Sequence, residues 1–91
     1  MELTYTIILL PEANGQFAVE VPALPGCFSR GKTIFEAIHN AEEAIRSHLT
    51  AMLKHGAAIP RQGKHIEVDT EDLGEGHIFR VTVRLEEAQV A

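Results

Sequence analysis

The sequence predicts a small α+β domain with the element order β-β-β-α-β. Three features support this prediction: period-two apolar alternation near both ends of the chain, one long stretch with helical spacing, and turn-forming residues between the first strands. Because no helical pattern separates the first three strands, we expect an antiparallel meander with the single helix packed on one face. A chain of 91 residues is the size of one domain, so residues 1–91 are interpreted as a single domain.

Two strands joined by a tight turn open the chain. Apolar residues alternate from Leu3 to Leu10 with partly apolar residues between them, which is typical of a strand covered on both faces. Asn14-Gly15 tolerates positive φ angles and closes hairpins. Phe17 to Val21 alternates again, so we expect a second strand that pairs antiparallel with the first.

A turn with two prolines follows the second strand. Pro22 ends the strand, because proline has no amide hydrogen to donate to a sheet. Pro25-Gly26 fits the central positions of a type II turn, the second of which needs a positive φ angle. A short third strand is predicted over Cys27 to Arg30.

One amphipathic helix is predicted from about Ile34 to His55. Thr33 and Glu36 have the spacing of a capping box, in which both side chains accept hydrogen bonds from free amides at the helix start. Gly56 is placed to cap the carboxyl end. The apolar stripe comprises Ile34, Ala37, Ile38, Ala41, Ile45, Leu49 and Met52.

The carboxyl-terminal third contains a weak strand signal and a clear one. Ile66 to Val68 is interpreted as a short edge strand, and Thr70 to Gly76 as an acidic loop. Phe79 to Leu85 alternates apolar residues with Arg80, Thr82 and Arg84, which is typical of a strand with one solvated face.

Composition narrows the class of function. Eight Lys and Arg against thirteen Asp and Glu give a net charge of -5, which disfavours direct nucleic-acid binding and suits a basic partner. A single cysteine forms no intramolecular disulfide, in agreement with a reducing compartment. No apolar run reaches the ~20 residues of a membrane span. We therefore expect a cytoplasmic protein without membrane association.

The reactive residue types do not form a catalytic or metal-binding pattern. Cys27 has no base assigned to it by the sequence and is interpreted as a buried packing residue rather than a nucleophile. The five histidines lack the i, i+4 pair that indicates a helical metal site. A two-metal nuclease needs carboxylates from several elements, and the first strand has none between Glu2 and Glu12. We predict no enzyme activity, catalytic residue, metal or cofactor.

Two groups of charged residues are predicted as partner contacts. Arg80 and Arg84 share one face of the last strand, where they could meet acidic groups of another molecule. Glu67 and Asp69 begin the acidic segment before that strand. A solvated surface is the alternative interpretation for both groups.

Several motifs keep the order and spacing of a known family. They are Tyr5-Thr6-Ile7-Ile8, Pro11-Glu12 with Asn14-Gly15-Gln16-Phe17, Val21-Pro22-Ala23-Leu24-Pro25-Gly26-Cys27, Gly31-Lys32-Thr33, and Glu36-Ala37 with Asn40-Ala41-Glu42-Glu43-Ala44-Ile45. On these residues the chain resembles the HicB-like family, formerly UPF0150, over about Leu3 to Pro60. Within these motifs, the residues interpreted as structural are Pro22, Pro25, Gly26, Cys27, Gly31, Thr33 and Glu36.

The resemblance implies a partial ribonuclease H-like fold without the nuclease site, and the role of antitoxin in a type II toxin-antitoxin pair. In that family the partner is HicA, a small basic mRNA interferase with a double-stranded-RNA-binding-like fold, which HicB binds and masks. The family supplies no catalytic residues. Many members continue into a carboxyl-terminal DNA-binding domain of the ribbon-helix-helix or helix-turn-helix type. Only Glu86 to Ala91 follow the last predicted strand, so we expect a short stand-alone member that does not bind DNA.

Two hypotheses of function follow. The first is a non-enzymatic domain that binds and neutralises a HicA-like toxin. The second is an orphan, homo-oligomeric HicB-like module without a toxin partner, in which exposed sheet edges pair with other copies of the chain.

Overall fold

The computed structural model describes residues 2–60 and 77–85 and has the predicted order of elements. The elements are β1 (Glu2–Pro11), β2 (Phe17–Glu20), β3 (Phe28–Gly31), α1 (Ile34–Lys54) and β4 (His77–Arg84). All strand pairs are antiparallel, and the sheet order is β3-β2-β1-β4. The α+β class and the meander of the first three strands are therefore confirmed. No helix in the described part of the chain has the length and apolarity to cross a membrane.

Turn hydrogen bonds explain why β2 and β3 differ from their predicted bounds. The carbonyl of Val21 accepts a hydrogen bond from the Leu24 amide at 3.0 Å, so β2 ends one residue earlier, at Glu20. The amide of Cys27 donates to the Leu24 carbonyl at 3.0 Å. Cys27 therefore closes the turn, and the predicted third strand over Cys27 to Arg30 is shifted to begin at Phe28.

The carboxyl-terminal elements also differ in their bounds. The helix ends at Lys54, and His55 is its C-cap residue rather than its last helical residue. β4 begins at His77, two residues before the predicted start, because it pairs with β1 from Leu9↔His77 onwards. The predicted edge strand at Ile66 to Val68 and the acidic loop at Thr70 to Gly76 lie outside the described residues.

The core lies between α1 and the face of the sheet that it covers, here called the inner face. The buried strand side chains on it include Leu3, Tyr5, Ile7, Leu9, Val19, Val81 and Val83. The helix contributes a stripe at i, i+4 spacing, Ala37, Ala41, Ile45 and Leu49. Leu53, which is partly buried, continues this stripe against the core, and the predicted member Met52 is also partly buried.

Small residues set how closely the helix approaches β3. A Cβ atom on Gly31 would lie 2.3 Å from the Ala37 backbone nitrogen, far inside van der Waals contact. The side-chain amide of Asn40 donates to the Arg30 carbonyl at 2.8 Å and ties the helix to the same strand. Glycine on the strand and alanine on the helix therefore allow the first turns of α1 to pack directly on the sheet edge.

Local hydrogen bonds define both ends of α1. The hydroxyl of Thr33 accepts from the Glu36 amide at 3.0 Å, which is the N-cap bond that the sequence predicts. At the other end, the Ala57 amide donates to the Met52 carbonyl at 2.9 Å and the Gly56 amide to the Leu53 carbonyl at 3.1 Å. With Gly56 at φ 72°, these two bonds form a Schellman motif.

Candidate partner-binding surfaces

The face of the sheet that points away from α1, here called the outer face, carries one row of side chains across all four strands. The register places Phe28 opposite Glu20, Glu20 opposite Ile8, and Ile8 opposite Ile78. Ile8 at the centre is buried, whereas the ends of the row are exposed, Phe28 at 67% and Ile78 at 44%. This row places two exposed apolar side chains on a face that also carries charge.

Arg84 and Arg80, predicted as partner contacts, both lie on the outer face of β4. Arg84 stands opposite Glu2 in the register, and its Nη2 donates to Glu2 Oε1 at 2.6 Å. This hydrogen bond, with the guanidinium charge, lowers the pKa of the Glu2 carboxyl. Arg84 is therefore engaged within the chain.

Arg80 differs from Arg84 in its surroundings. It is exposed and stands opposite Thr6 on β1. Among residues 2–60 and 77–85, no carboxylate forms an ion pair with it. Arg80 thus remains a predicted contact for an acidic group of a partner.

The other two predicted contact residues, Glu67 and Asp69, lie outside the described residues. Their role stays a prediction from the sequence.

The turn before β3 is a rigid scaffold with a buried thiol. Gly26 has a φ angle of 86°, as the second central position of a type II turn requires, and Pro25 precedes it. Cys27 follows the turn and is 4% exposed in the core cluster. Burial raises the pKa of its thiol, so the thiolate that a nucleophile needs is disfavoured. This geometry suits packing, as the sequence indicates.

Metal-binding side chains are not clustered in the part of the chain that the structure describes. No group of three or more His, Cys, Asp and Glu residues is arranged there to hold an ion. The closest ring contact of a histidine there is between His77 and Phe79, with centroids 6.4 Å apart.

Sequence reasoning did not single out Glu20 or Phe28. Alternation places Glu20 on the solvated side of β2, but it does not say which residue of β3 stands beside it. The shift of β3 by one residue changes that partner, because Phe28 becomes the first residue of the strand. The signal in the sequence was Pro25-Gly26, because a type II turn centred on these residues places Cys27 in the turn and lets β3 begin at Phe28.

Comparison with known sequences gives one family. The family model described as HicB_like antitoxin of bacterial toxin-antitoxin system matches residues 5–90. A UPF0150 protein of Thermoplasma acidophilum is 48% identical to this chain over 59 residues, which cover 65% of this chain and 86% of that protein. The region matched by the family model includes the turn, the helix and the strands described above, apart from the first three residues of β1.

Solved structures agree with the sequence matches. The N-terminal domain of the Burkholderia pseudomallei antitoxin HicB superimposes with a TM-score of 0.76 at 27% identity, covering 91% of this chain and 100% of that one. A chain of a HicA3 and HicB3 toxin-antitoxin complex superimposes with a TM-score of 0.65 at 28% identity, covering 92% of this chain and 99% of that one. The likeness thus extends over nearly the whole fold.

Proposed function

The chain belongs to the family of HicB_like antitoxins of bacterial toxin-antitoxin systems, and we propose that it is a non-enzymatic domain that binds and neutralises a small basic toxin of the HicA kind. The observation that carries the proposal is the likeness to a chain of the HicA3 and HicB3 complex over 92% of this chain. The net charge of -5 supports it, because an acidic surface accelerates encounter with a basic protein. The proposed place of action is the cytoplasm.

Co-expression tests this role directly. A small basic reading frame beside the gene for this chain is expressed alone and together with it in a bacterial host. We expect growth arrest with the basic protein alone, rescue by this chain, and a complex that co-purifies. An unrelated acidic domain of equal size serves as the control and should not rescue growth. Failure of both rescue and co-purification would remove the antitoxin role.

Homo-oligomerisation is the second candidate, and the edges of the sheet favour it. β4 is eight residues long, and within the described residues it pairs only with β1. At the opposite edge, the Arg30 carbonyl of β3 already accepts a hydrogen bond from Asn40, which leaves β4 as the better pairing edge. Sedimentation of the purified chain, run beside the co-expression test, should show a dimer or larger species. A monomer at all concentrations would exclude this candidate.

A further inference from the structure

An aromatic ring and a carboxylate stand side by side at the end of the outer face. Glu20 on β2 and Phe28 on β3 are directly opposite in the antiparallel register. Side chains in such positions start from Cβ atoms about 5 Å apart, so the two groups border the same space. Both are exposed. Neither is therefore needed to fill the core, and both are accessible to another molecule.

The same two residues line a shallow depression of about 330 Å³, here called the Glu20–Phe28 pocket. The proline-rich turn supplies its remaining wall, with Pro22, Leu24 and Pro25. Proline fixes its own φ angle, and the bond from the Cys27 amide to the Leu24 carbonyl closes the turn. The lining of the pocket thus combines a conformationally restricted, mainly apolar turn with one carboxylate.

The charge of Glu20 is not balanced within the described part of the chain. The nearest cation in sequence on the same face, Arg30, is engaged by Glu12. Arg30 Nη2 donates to Glu12 Oε2 at 3.3 Å, and Nε lies 2.7 Å from Oε1 as a charge contact without hydrogen-bond alignment. Among residues 2–60 and 77–85, Glu20 has no ion pair. The Glu20 carboxylate is therefore open to a cation of another molecule.

We infer that the Glu20–Phe28 pocket receives an arginine side chain of the basic partner protein. This inference rests on the proposed function and adds the surface through which the partner is held. A guanidinium stacks on an aromatic face and forms paired hydrogen bonds with a carboxylate, while its methylene stem packs on apolar walls. The lysine ammonium is a compact charge without a planar group that can stack on the ring of Phe28. Arginine is therefore the better match for this pocket.

Single substitutions in the co-purified complex test the pocket. F28A removes the stacking surface and E20Q removes the charge, and each should weaken the affinity measured by calorimetry about tenfold. E20Q should also flatten the dependence of the affinity on salt concentration, because a rim charge acts through screened attraction. Both residues are exposed, so the melting temperatures of the variants should stay close to that of the unmodified chain.

Matched controls lie elsewhere on the surface. F35A removes a phenylalanine that is 88% exposed on α1, and E43Q removes a carboxylate of the same helix. Both should bind within about twofold of the unmodified chain, as expected for exposed groups outside an interface. If F28A and E20Q bind as tightly as these controls, the pocket is not the contact, although the antitoxin role stands.

A second experiment tests the pocket independently of the proposed function. If the unmodified chain binds no basic toxin, the proposed function fails, and hexa-arginine peptide then serves as the probe. Nuclear magnetic resonance should show saturable shifts of the non-proline backbone amides between Glu20 and Phe28 with hexa-arginine, and clearly weaker shifts both with hexa-lysine and in F28A. An absence of shifts, or equal shifts in F28A, would overturn the inference.

Discussion

The inner and outer faces of the sheet are formed by alternate residues of the same strands, but they have different roles. Ile7 on β1 points to α1 and is fully buried, whereas Ile78 on β4 points to the opposite side and is 44% exposed. The inner face is apolar and mainly aliphatic, with Tyr5 among its buried side chains, and the outer face combines the Thr4–Thr82 hydroxyl pair at 2.8 Å with ion pairs and Phe28. Alternation along a strand therefore separates the residues that stabilise the fold from those that can contact a partner.

The largest difference between the two faces is expected from truncation of isoleucine. I7A should lower the free energy of unfolding by about 2–5 kcal/mol, because it leaves a cavity between the sheet and α1. I78A should lower it by less than about 1 kcal/mol, since its side chain is partly in water already. Urea unfolding monitored by circular dichroism measures both. Equal losses at the two positions would contradict the assignment of the faces.

A smaller effect on the inner face is expected at Gly31. G31A places a Cβ atom 2.3 Å from the Ala37 nitrogen, so the helix must shift away from β3. We expect a loss of about 1–3 kcal/mol in the free energy of unfolding, by the mechanism of overpacking. G26A is the informative comparison, because nothing lies near its Cβ and its cost comes from the positive φ angle alone. A neutral G31A variant would show that α1 does not approach β3 so closely.

The smallest effect concerns the exposed ion pair at the other end of the outer face. The Arg84 guanidinium lowers the pKa of Glu2, and R84Q should return that pKa to the ordinary carboxyl range. Because the folded-state pKa is lowered, the pair contributes its stability above the ordinary carboxyl pKa and loses it as the pH falls through the lowered value. Carboxyl chemical shifts of Glu2 in a pH titration measure this. An unchanged pKa in R84Q would show that the pair does not form in solution.

Much of the inner face could be predicted because its signals are local. Alternation at Tyr5, Ile7 and Leu9 identifies the buried side of β1, and i, i+4 spacing identifies Ala41 and Ile45 on α1. The N-cap at Thr33 is recognised from four consecutive residues, Thr33 to Glu36. The predicted start of β3 at Cys27 was wrong by one residue. A turn hydrogen bond sets the first residue of this strand, and alternation of apolar residues does not report such a bond.

The candidate site was less predictable, because it depends on neighbours that are distant in sequence. Arg80 and Arg84 look equivalent in the sequence, yet only Arg84 has the carboxylate of Glu2 opposite it. The pairing joins residues that are 82 positions apart. The alternation of apolar and polar residues predicts the face of the sheet on which a side chain lies, but it does not predict which residue of the next strand stands opposite.

The amino-acid sequence is sufficient to predict the α+β class, the capped helix, the turn before the buried Cys27 and, through its motifs, the family. These features depend on contacts within a few residues and on apolar periodicity, and both can be recognised in the order of the amino acids. Three features become visible only in the folded chain. β4 lies beside β1, Glu2 pairs with Arg84, and Glu20 stands next to Phe28 at the proline-rich turn. Strand order and register are set by the packing of the whole sheet on the helix, so the Glu20–Phe28 pocket exists only once the fold has formed.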